Sequence, residues 1–420
     1  MKHRTLALLL AVALTLCLPC TTALAAEEPL PPDNSAAQTG DGPTPEAYIP
    51  DPEGTVTFQN LDRRMRKGNL QVLSLQESVD ILEEINYDKL KEDLRLQLNQ
   101  MAQAQWMMLQ FGQSGTLAYE RMDQAYGAVR EQFDAIKDGD MQEDNADTVR
   151  QLQNLQNQIV MAGEATYIAL AAMENQEQGL ERQLTAMDRK LEELQLRYEL
   201  GQISALNLKE AQAGRVSLNS GLTTLRMNLN TYKGQLELLI GAEITGDISL
   251  GALPSVSPEE LEAMDLEQDL ERAKEASWDL YEATETMKEE RKKYNNMGGD
   301  AAMEYRMKEE SFKRARHSWL SAKYTYENTM QNFELGLRHL YLKVQDYQQV
   351  LAASRTSLEV EQDRCAAARL KHQQGSISAN ALLEAEEDLI AAQETVTGAE
   401  NALFSAYNTY RWAVDHGILN

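Results

Sequence analysis

Proline and aromatic residues are scarce in this chain of 420 residues, in which only 6% of the side chains are aromatic. Eight of the ten prolines lie at or before Pro52, and the others are Pro254 and Pro258, so residues 53–253 and 259–420 contain none. Proline removes a helical hydrogen bond and clashes with the preceding turn. The proline-free tracts are rich in Leu, Ala, Gln and Glu, which favour helix. The sequence therefore predicts an all-α protein with long helices.

Basic residues are also few, since 40 Lys and Arg stand against 66 Asp and Glu, for a formal net charge of −26 at pH 7. A nucleic-acid backbone is itself a polyanion, so we expect no nucleic acid as partner.

Metal-binding and nucleophilic side chains are sparse beyond residue 25. They comprise His317, His339, His372, His416 and the single cysteine Cys365, and no two histidines have the helical spacing of metal ligands. We therefore expect no metal, no cofactor and no enzymatic activity. Cys365 is interpreted as a small buried apolar side chain.

The first residues resemble a targeting segment. Lys2 and Arg4 precede an apolar stretch at 6–18, and Ala23 to Ala25 offers a cleavage site, which predicts a signal peptide over residues 1–25. Residues 26–69 are interpreted as a flexible Pro-rich leader. No later stretch approaches the roughly 18 apolar residues of a spanning helix.

An internal duplication is the most informative feature of the chain. The pentapeptide GQISA at 201–205 recurs 174 residues later as GSISA at 375–379, and the match continues through 208–211 and 382–385. We divide the chain into repeat 1 at 70–241, a linker at 242–258 and repeat 2 at 259–420. Long helices are predicted over 145–199 and 301–372, with breaks at 112–115, 137–144 and 295–300.

A heptad pattern accompanies both copies of the duplicated segment. In repeat 1 it comprises Leu208, Ala211, Arg215, Leu218, Leu222, Leu225, Leu229, Tyr232, Leu236 and Leu239. The positions 174 residues later are all apolar, so Arg215 alone interrupts the seam. A three-four spacing held over several heptads indicates a coiled coil. Each glycine lies between two such helices, which predicts two long helical hairpins with tips at Gly201 and Gly375.

At each tip, glycine suits the left-handed residue that ends a helix, and Ser204 or Ser378 can cap the next one. The motif has two readings, a turn former or a docking surface.

The tip motif resembles that of the TolC-type outer-membrane efflux family. Residues 197–212 match the family pattern of Arg197, an aromatic residue, Gly201, a small or hydroxyl residue, and Leu-x-x-Ala-Gln, and residues 375–386 match it more loosely. The opening of repeat 1 at 73–79 is also similar to the family, so the resemblance covers residues 70–420.

The resemblance implies a homotrimer whose six hairpins form a twelve-helix tunnel. Such a tunnel is a passive exit conduit for efflux or secretion, which docks on a periplasmic-type adaptor and works with an inner-membrane transporter. The family's adaptor contacts correspond here to Arg197, Gly201, Ile203, Ser204, Gly375, Ile377 and Ser378. Glu384 corresponds to an acidic aperture position, whereas Ala381 stands where the family has another acid.

The chain departs from the family where membrane strands are expected. Only the short segments 112–115 and 295–300 occupy those places, and no run has the nine to eleven alternating residues of a spanning strand. We therefore expect little or no β-barrel. The resemblance implies an outer-membrane location, while the missing strands leave open an exported protein that is soluble or wall-associated.

Two functions remain open on the sequence. One is the efflux conduit, and the other is a non-conducting structural coiled-coil protein of the cell envelope. Glu174, Glu181, Asp188 and Glu192 lie on the face of the first hairpin away from the seam, as expected for the acidic wall of a conduit; a solvated outer face would show the same pattern.

Overall fold

The computed structural model describes residues 50–52 and 54–419, so the predicted signal peptide lies outside the described residues. The described chain forms two short strands, β1 (Thr55–Val56) and β2 (Ser249–Leu250), twelve α-helices and one 3-10 helix (Gly299–Ala302). The helices are α1 (Phe58–Gly68), α2 (Leu70–Glu83), α3 (Tyr87–Gln110), α4 (Leu117–Asp138), α5 (Asp140–Glu199), α6 (Ala205–Leu239), α7 (Pro258–Glu262), α8 (Leu266–Ala276), α9 (Trp278–Asn296), α10 (Met303–Arg306), α11 (Glu310–Gln373) and α12 (Ala379–His416). The predicted all-α class is confirmed.

Four long helices lie side by side in the order α6, α5, α12, α11. Helices α5 and α6 form one long hairpin, α11 and α12 form the other, and α5 also packs against α12. This arrangement confirms the two tandem helical hairpins, with α5 and α12 as the inner pair and α6 and α11 as the outer pair.

Two apolar clusters form where short helices and strands pack on the long ones. One joins α8, α9, α11 and α12 through Leu270, Leu280, Leu337 and Leu403. The other joins β1, β2, α1, α5, α6 and α12 through Leu61, Tyr167, Leu236 and Trp412. No residue between 171 and 207 is buried. The half of the first hairpin nearest its tip therefore has little core of its own.

The end of the predicted leader is part of this fold, which corrects its assignment as flexible up to residue 69. Strand β1 pairs in parallel with β2, with Thr55 opposite Ser249. Helix α1 packs on α5 and buries Leu61 and Met65 completely. Because these two side chains are four residues apart, they lie on one face of the helix. The leader was assigned from its prolines, which end at Pro52, and these do not indicate the buried face formed by Leu61 and Met65.

A buried carboxylate holds the linker that joins the repeats. Glu237 is fully buried and accepts hydrogen bonds from the amides of Thr245 and Gly246, both at 2.7 Å, and from the Thr245 hydroxyl at 2.7 Å. Burial alone raises the pKa of Glu237, but these hydrogen bonds outweigh it and hold the pKa below its ordinary value. The linker is thereby fixed to the end of α6.

The helix breaks are narrower or later than the spacing predicted. Gly139, with a φ of 89°, separates α4 from α5 by itself, so α5 begins at Asp140. Helix α11 begins at Glu310 because residues 299–306 form the 3-10 helix and α10 instead. The predicted break at 112–115 is confirmed between α3 and α4.

A further helical hairpin precedes each long hairpin along the chain, and the second of them includes α11 itself. Helices α3 and α4 pack together and are joined by residues 111–116. Helix α9 packs against α11 in the same way, and residues 297–309 join them.

Candidate functional site: the two hairpin tips

The two hairpin tips have the same turn. Gly201 and Gly375 both have a φ of 72°. At the first tip the amide of Gly201 donates to the Tyr198 carbonyl at 2.9 Å, and the next amide, of Gln202, donates to the Arg197 carbonyl at 2.8 Å. The second tip repeats both bonds, Gly375 to His372 at 2.9 Å and Ser376 to Lys371 at 2.8 Å. The predicted left-handed helix ends are therefore confirmed at both tips.

The serines after each glycine cap the returning helices. The Ser204 hydroxyl accepts from the amide of Asn207 at 3.2 Å, and the Ser378 hydroxyl accepts from the amide of Ala381 at 3.2 Å. Both predicted caps are confirmed, and each satisfies an amide that the helix leaves without a partner.

Both tips are open. A Cβ built on Gly201 or Gly375 would meet no atom within 4 Å. Ile203 and Ile377 are half-buried, and the capping serines are exposed. The glycines are therefore required by their positive φ and not by close packing, and a partner can reach both turns.

Arg197 and Glu384, the other two candidates, do not come together in one cluster. Arg197 forms an ion pair with Glu193 one turn earlier on α5. Glu384 lies on α12, nine residues after Gly375, and its side chain is exposed. The roles of these residues, like adaptor docking itself, stay predictions.

Two ion pairs near the tips join the two hairpins to each other. Arg182 pairs with Glu394, and Arg189 pairs with Glu387. Each pair joins α5 to α12, and the partners step by seven residues in opposite directions along the two antiparallel helices. Sequence reasoning missed these contacts, although the matched seven-residue spacing of opposite charges was the available signal.

The predicted acidic wall is wrong for three of its four residues. Glu174 pairs with Lys233 at 2.8 Å, Glu181 pairs with Arg226, and Asp188 pairs with Arg215. These pairs cross from α5 to α6, so the acids connect the two helices of the first hairpin. Glu192 is exposed, as predicted.

Arg215, which interrupts the apolar seam, is explained by the same contacts. Its guanidinium donates to both carboxylate oxygens of Asp188, one of them at 3.3 Å. This hydrogen bond holds the pKa of Asp188 below its ordinary value. The interruption of the seam is therefore an ion pair across the hairpin.

In the described part of the chain, no helix is both long and apolar enough to cross a bilayer. Within residues 50–52 and 54–419, no group of His, Cys, Asp and Glu side chains is placed to hold a metal ion. Cys365 is a buried free thiol on α11, as interpreted from the sequence.

No protein-family model and no curated protein matches the sequence, whereas solved structures match the fold. One of them is CusC, whose crystal structures concern conformational changes that accompany folding and transmembrane channel formation. It aligns at a TM-score of 0.50 and 16% identity, over 86% of this chain and 96% of that one. The outer-membrane channel OprN aligns at 0.51 and 14%, over 86% and 90%. A membrane protein from Pseudomonas aeruginosa aligns at 0.52 and 12%, over 94% and 97%.

These alignments cover nearly the whole described chain at low identity, so what they establish is the fold. The chain has the fold of the TolC-type outer-membrane channels, and the resemblance drawn from the tip motif is confirmed at that level.

Proposed function

We propose that the protein is an exit conduit of the TolC type. Three copies form a passive duct for efflux or secretion, and the hairpin tips dock on an adaptor that connects the duct to a membrane pump. The observation that supports this most directly is the pair of identical open turns at Gly201 and Gly375 on a fold shared with outer-membrane channels.

Assembly is supported by the outer helices, which leave large apolar side chains exposed. On α6 these are Leu206, Val216, Met227, Tyr232 and Leu238. On α11 they are Tyr324, Leu335, Leu342, Val350, Val360 and Leu370. Packing α6 of one copy on α11 of the next buries both sets in a head-to-tail contact, and such contacts form a ring when the rotation between copies closes. Three copies of four long helices then give twelve.

Docking is supported by the position of the tips. They lie beyond the apolar clusters, and the ion pairs Arg182–Glu394 and Arg189–Glu387 hold the two hairpins together near this end. The turns are therefore presented by supported helices while remaining open to a partner's helical hairpin.

Valine at both tip glycines tests docking. We expect Gly201→Val with Gly375→Val to abolish capture of the adaptor, while the free energy of unfolding falls only by the cost of the strained turns, roughly 1 kcal/mol or more per site. Gly115→Val is the matched control, because Gly115 also has a positive φ, 90°, and open space around its Cβ position. If this control lost the adaptor equally, the tips would be turn formers only.

Solute accumulation tests the conduit itself. Cells lacking the gene should retain more of a fluorescent efflux substrate, and the wild-type gene should restore export while the tip variant should not. Light scattering on the mature chain, in detergent and with adaptor, should give the mass of a trimer. A persistent monomer at tens of micromolar would contradict the assembly.

A structural coiled-coil protein is the second candidate. It is favoured by the pairing of Glu174, Glu181 and Asp188 with bases on α6, which removes part of the expected acidic wall. Electron microscopy of the assembled protein separates the two functions, because a conduit has an open lumen along its axis and a structural bundle is filled.

A further inference from the structure

The end of the α3–α4 hairpin exposes a cluster of large apolar side chains. They are Trp106 (59% exposed), Met107 (51%), Leu109 (47%), Phe111 (79%) and Leu117 (63%). They lie on the last turns of α3, the connecting turn and the first residue of α4, so one end of one hairpin carries all five. Exposed apolar groups that cluster in this way mark an interaction surface.

The same end of the hairpin carries no charge. Residues 96–119 form a run of 24 uncharged residues in a chain in which 25% of residues are charged. Charge returns on α4 at Glu120 and Arg121, one turn after its start. Across the hairpin, Gln105 donates to Asp123 at 3.2 Å, so the charged part of α4 lies level with residue 105. Stepping along the two antiparallel helices, Arg121 and Glu120 lie level with residues 107 and 108, so the zone free of charge on both helices is 109–119.

The absence of charge extends around the whole hairpin end. The positions between the apolar residues are Gln110, Gln113, Ser114 and Thr116, all exposed, together with two glycines. A protein partner would cover one face of the hairpin end and leave the other face in water. Elsewhere in this chain solvated faces carry Glu and Lys, so a hairpin end without charge on any face does not fit a one-sided contact. A lipid interface disfavours charge at every position that enters it and favours Trp and other aromatic residues.

We propose that the hairpin end 109–119 inserts into the interfacial region of a lipid bilayer. Phe111 and Leu117 enter the boundary between headgroups and acyl chains, and Trp106 remains with Glu120 and Arg121 at the level of the headgroups. An insertion limited by these charges is the connecting turn plus about one helical turn, roughly 5–10 Å, as for interfacial amphipathic segments. This attachment is independent of the proposed conduit and of its docking tips.

Vesicle flotation with the mature full-length chain tests the proposal. We expect the wild type to float with phosphatidylcholine vesicles and Trp106→Glu with Phe111→Glu to lower the bound fraction about tenfold or more, because each places a charge in the interface. The matched control is Met303→Glu with Tyr305→Glu in the turn of the other short hairpin, where the replaced side chains are 38% and 73% exposed. This control should bind as the wild type does.

Quenching by brominated lipid gives an independent readout of depth. Emission should be quenched in the wild type, and Trp106→Phe should remove most of the quenched signal, leaving that of Trp278, Trp319 and Trp412. Failure of the wild type to float, or equal loss in the Met303/Tyr305 control, would overturn the proposal. So would a drop in mass of the Trp106/Phe111 variant without lipid, which would show that a second copy covers this surface.

Discussion

The two repeats end in the same turn at one extremity and in different turns at the other. At Gly201 and Gly375 the dihedral angles, the backbone hydrogen bonds and the serine caps coincide. At the opposite end, the turn at 111–116 leaves its apolar residues exposed, whereas the turn at 297–309 closes over a small core. The same helical topology therefore accommodates one turn that buries its apolar side chains and one that leaves them exposed to solvent.

The core of the second turn is aromatic. Tyr294 stacks on Trp319, with ring centroids 5.2 Å apart and planes within 5°, and also packs against Phe312 at 5.4 Å. The Tyr294 hydroxyl donates to Asp300 at 3.0 Å, and Arg306 donates to the Met297 carbonyl at 2.6 Å. Burial, and then the bond to Asp300, raise the pKa of Tyr294.

The first turn has no such core. Its glycines Gly112 and Gly115 have positive φ and open surroundings. Its local support is hydrogen bonds of the turn itself, such as the Gln113 amide to the Met108 carbonyl at 3.0 Å and the Thr116 hydroxyl, which accepts from the amide of Tyr119 at 3.3 Å. Five of the 13 residues at 297–309 are charged, against none at 106–119. The difference between the two ends lies in local sequence.

Phenylalanine truncation should separate the two ends most strongly. Phe312→Ala empties a fully buried site and should cost about 3–5 kcal/mol, as large-to-small changes in cores do. Phe111→Ala removes a side chain that is 79% exposed and should change stability by less than about 0.5 kcal/mol. Urea denaturation in lipid-free buffer measures both. Equal losses would mean that Phe111 is also buried in the solution state.

The second largest difference in stability between the two ends is expected for alanine at the turn glycines Gly298 and Gly112. A Cβ on Gly298 would lie 2.6 Å from the Ala302 Cβ, whereas one on Gly112 would meet nothing within 4 Å. Both substitutions place alanine at positive φ, at a cost of roughly 1 kcal/mol. Gly298→Ala should lose a further 1–3 kcal/mol or so from overpacking. Identical shifts of the urea midpoint would contradict a closed second turn.

A buried carboxyl distinguishes the repeats in pH dependence. Glu164 on α5 accepts from Trp412 at 2.6 Å and from Asn408 at 2.7 Å, whereas the residue 174 positions later is the exposed Arg338. Burial raises the pKa of Glu164 above its ordinary value of 4.5 and outweighs the two hydrogen bonds, which lower it. The stabilisation that Glu164 contributes to the folded state is therefore complete below pH 4.5 and is lost as the pH rises through the pKa of the folded state.

Glu164→Gln should remove this loss, so its stability relative to the wild type should increase as pH rises above about 4.5. Melting curves between pH 4 and 8 check the trend. A stability difference independent of pH would show that Glu164 does not titrate differently in the folded state.

The smallest effect is expected at the interrupted seam. Arg215→Leu gives repeat 1 the residue that repeat 2 has 174 positions later, Leu389, and removes the ion pair with Asp188. Because both partners are more than 40% exposed, we expect a shift in melting below that of Gly298→Ala, and smaller again in high salt. A large loss unaffected by salt would mean that an assembly buries the pair.

The sequence was sufficient for features that depend on nearby residues. Positive φ at Gly201 and Gly375, the caps by Ser204 and Ser378, and the long helices could all be predicted, because helix ends and heptads are set within a few residues. The open end at 106–119 was not predicted, because whether its apolar residues are covered depends on packing between helices.

Contacts between distant segments could not be predicted. Helix α1 was assigned to a flexible leader because nothing local shows that Leu61 and Met65 pack on α5. The acids at 174, 181 and 188 were assigned to a wall, because their helical face is visible in the sequence but the bases opposite them on α6 are not.

By itself, then, the sequence determined two helical hairpins with matching glycine tips, since proline-free heptads and turn residues act over short distances. Only the tertiary structure decided which charges pair, where the leader ends and which short hairpin buries its aromatic residues. These features depend on how helices approach one another across scores of residues, and the side chains of one helix do not specify the face that another helix presents to them.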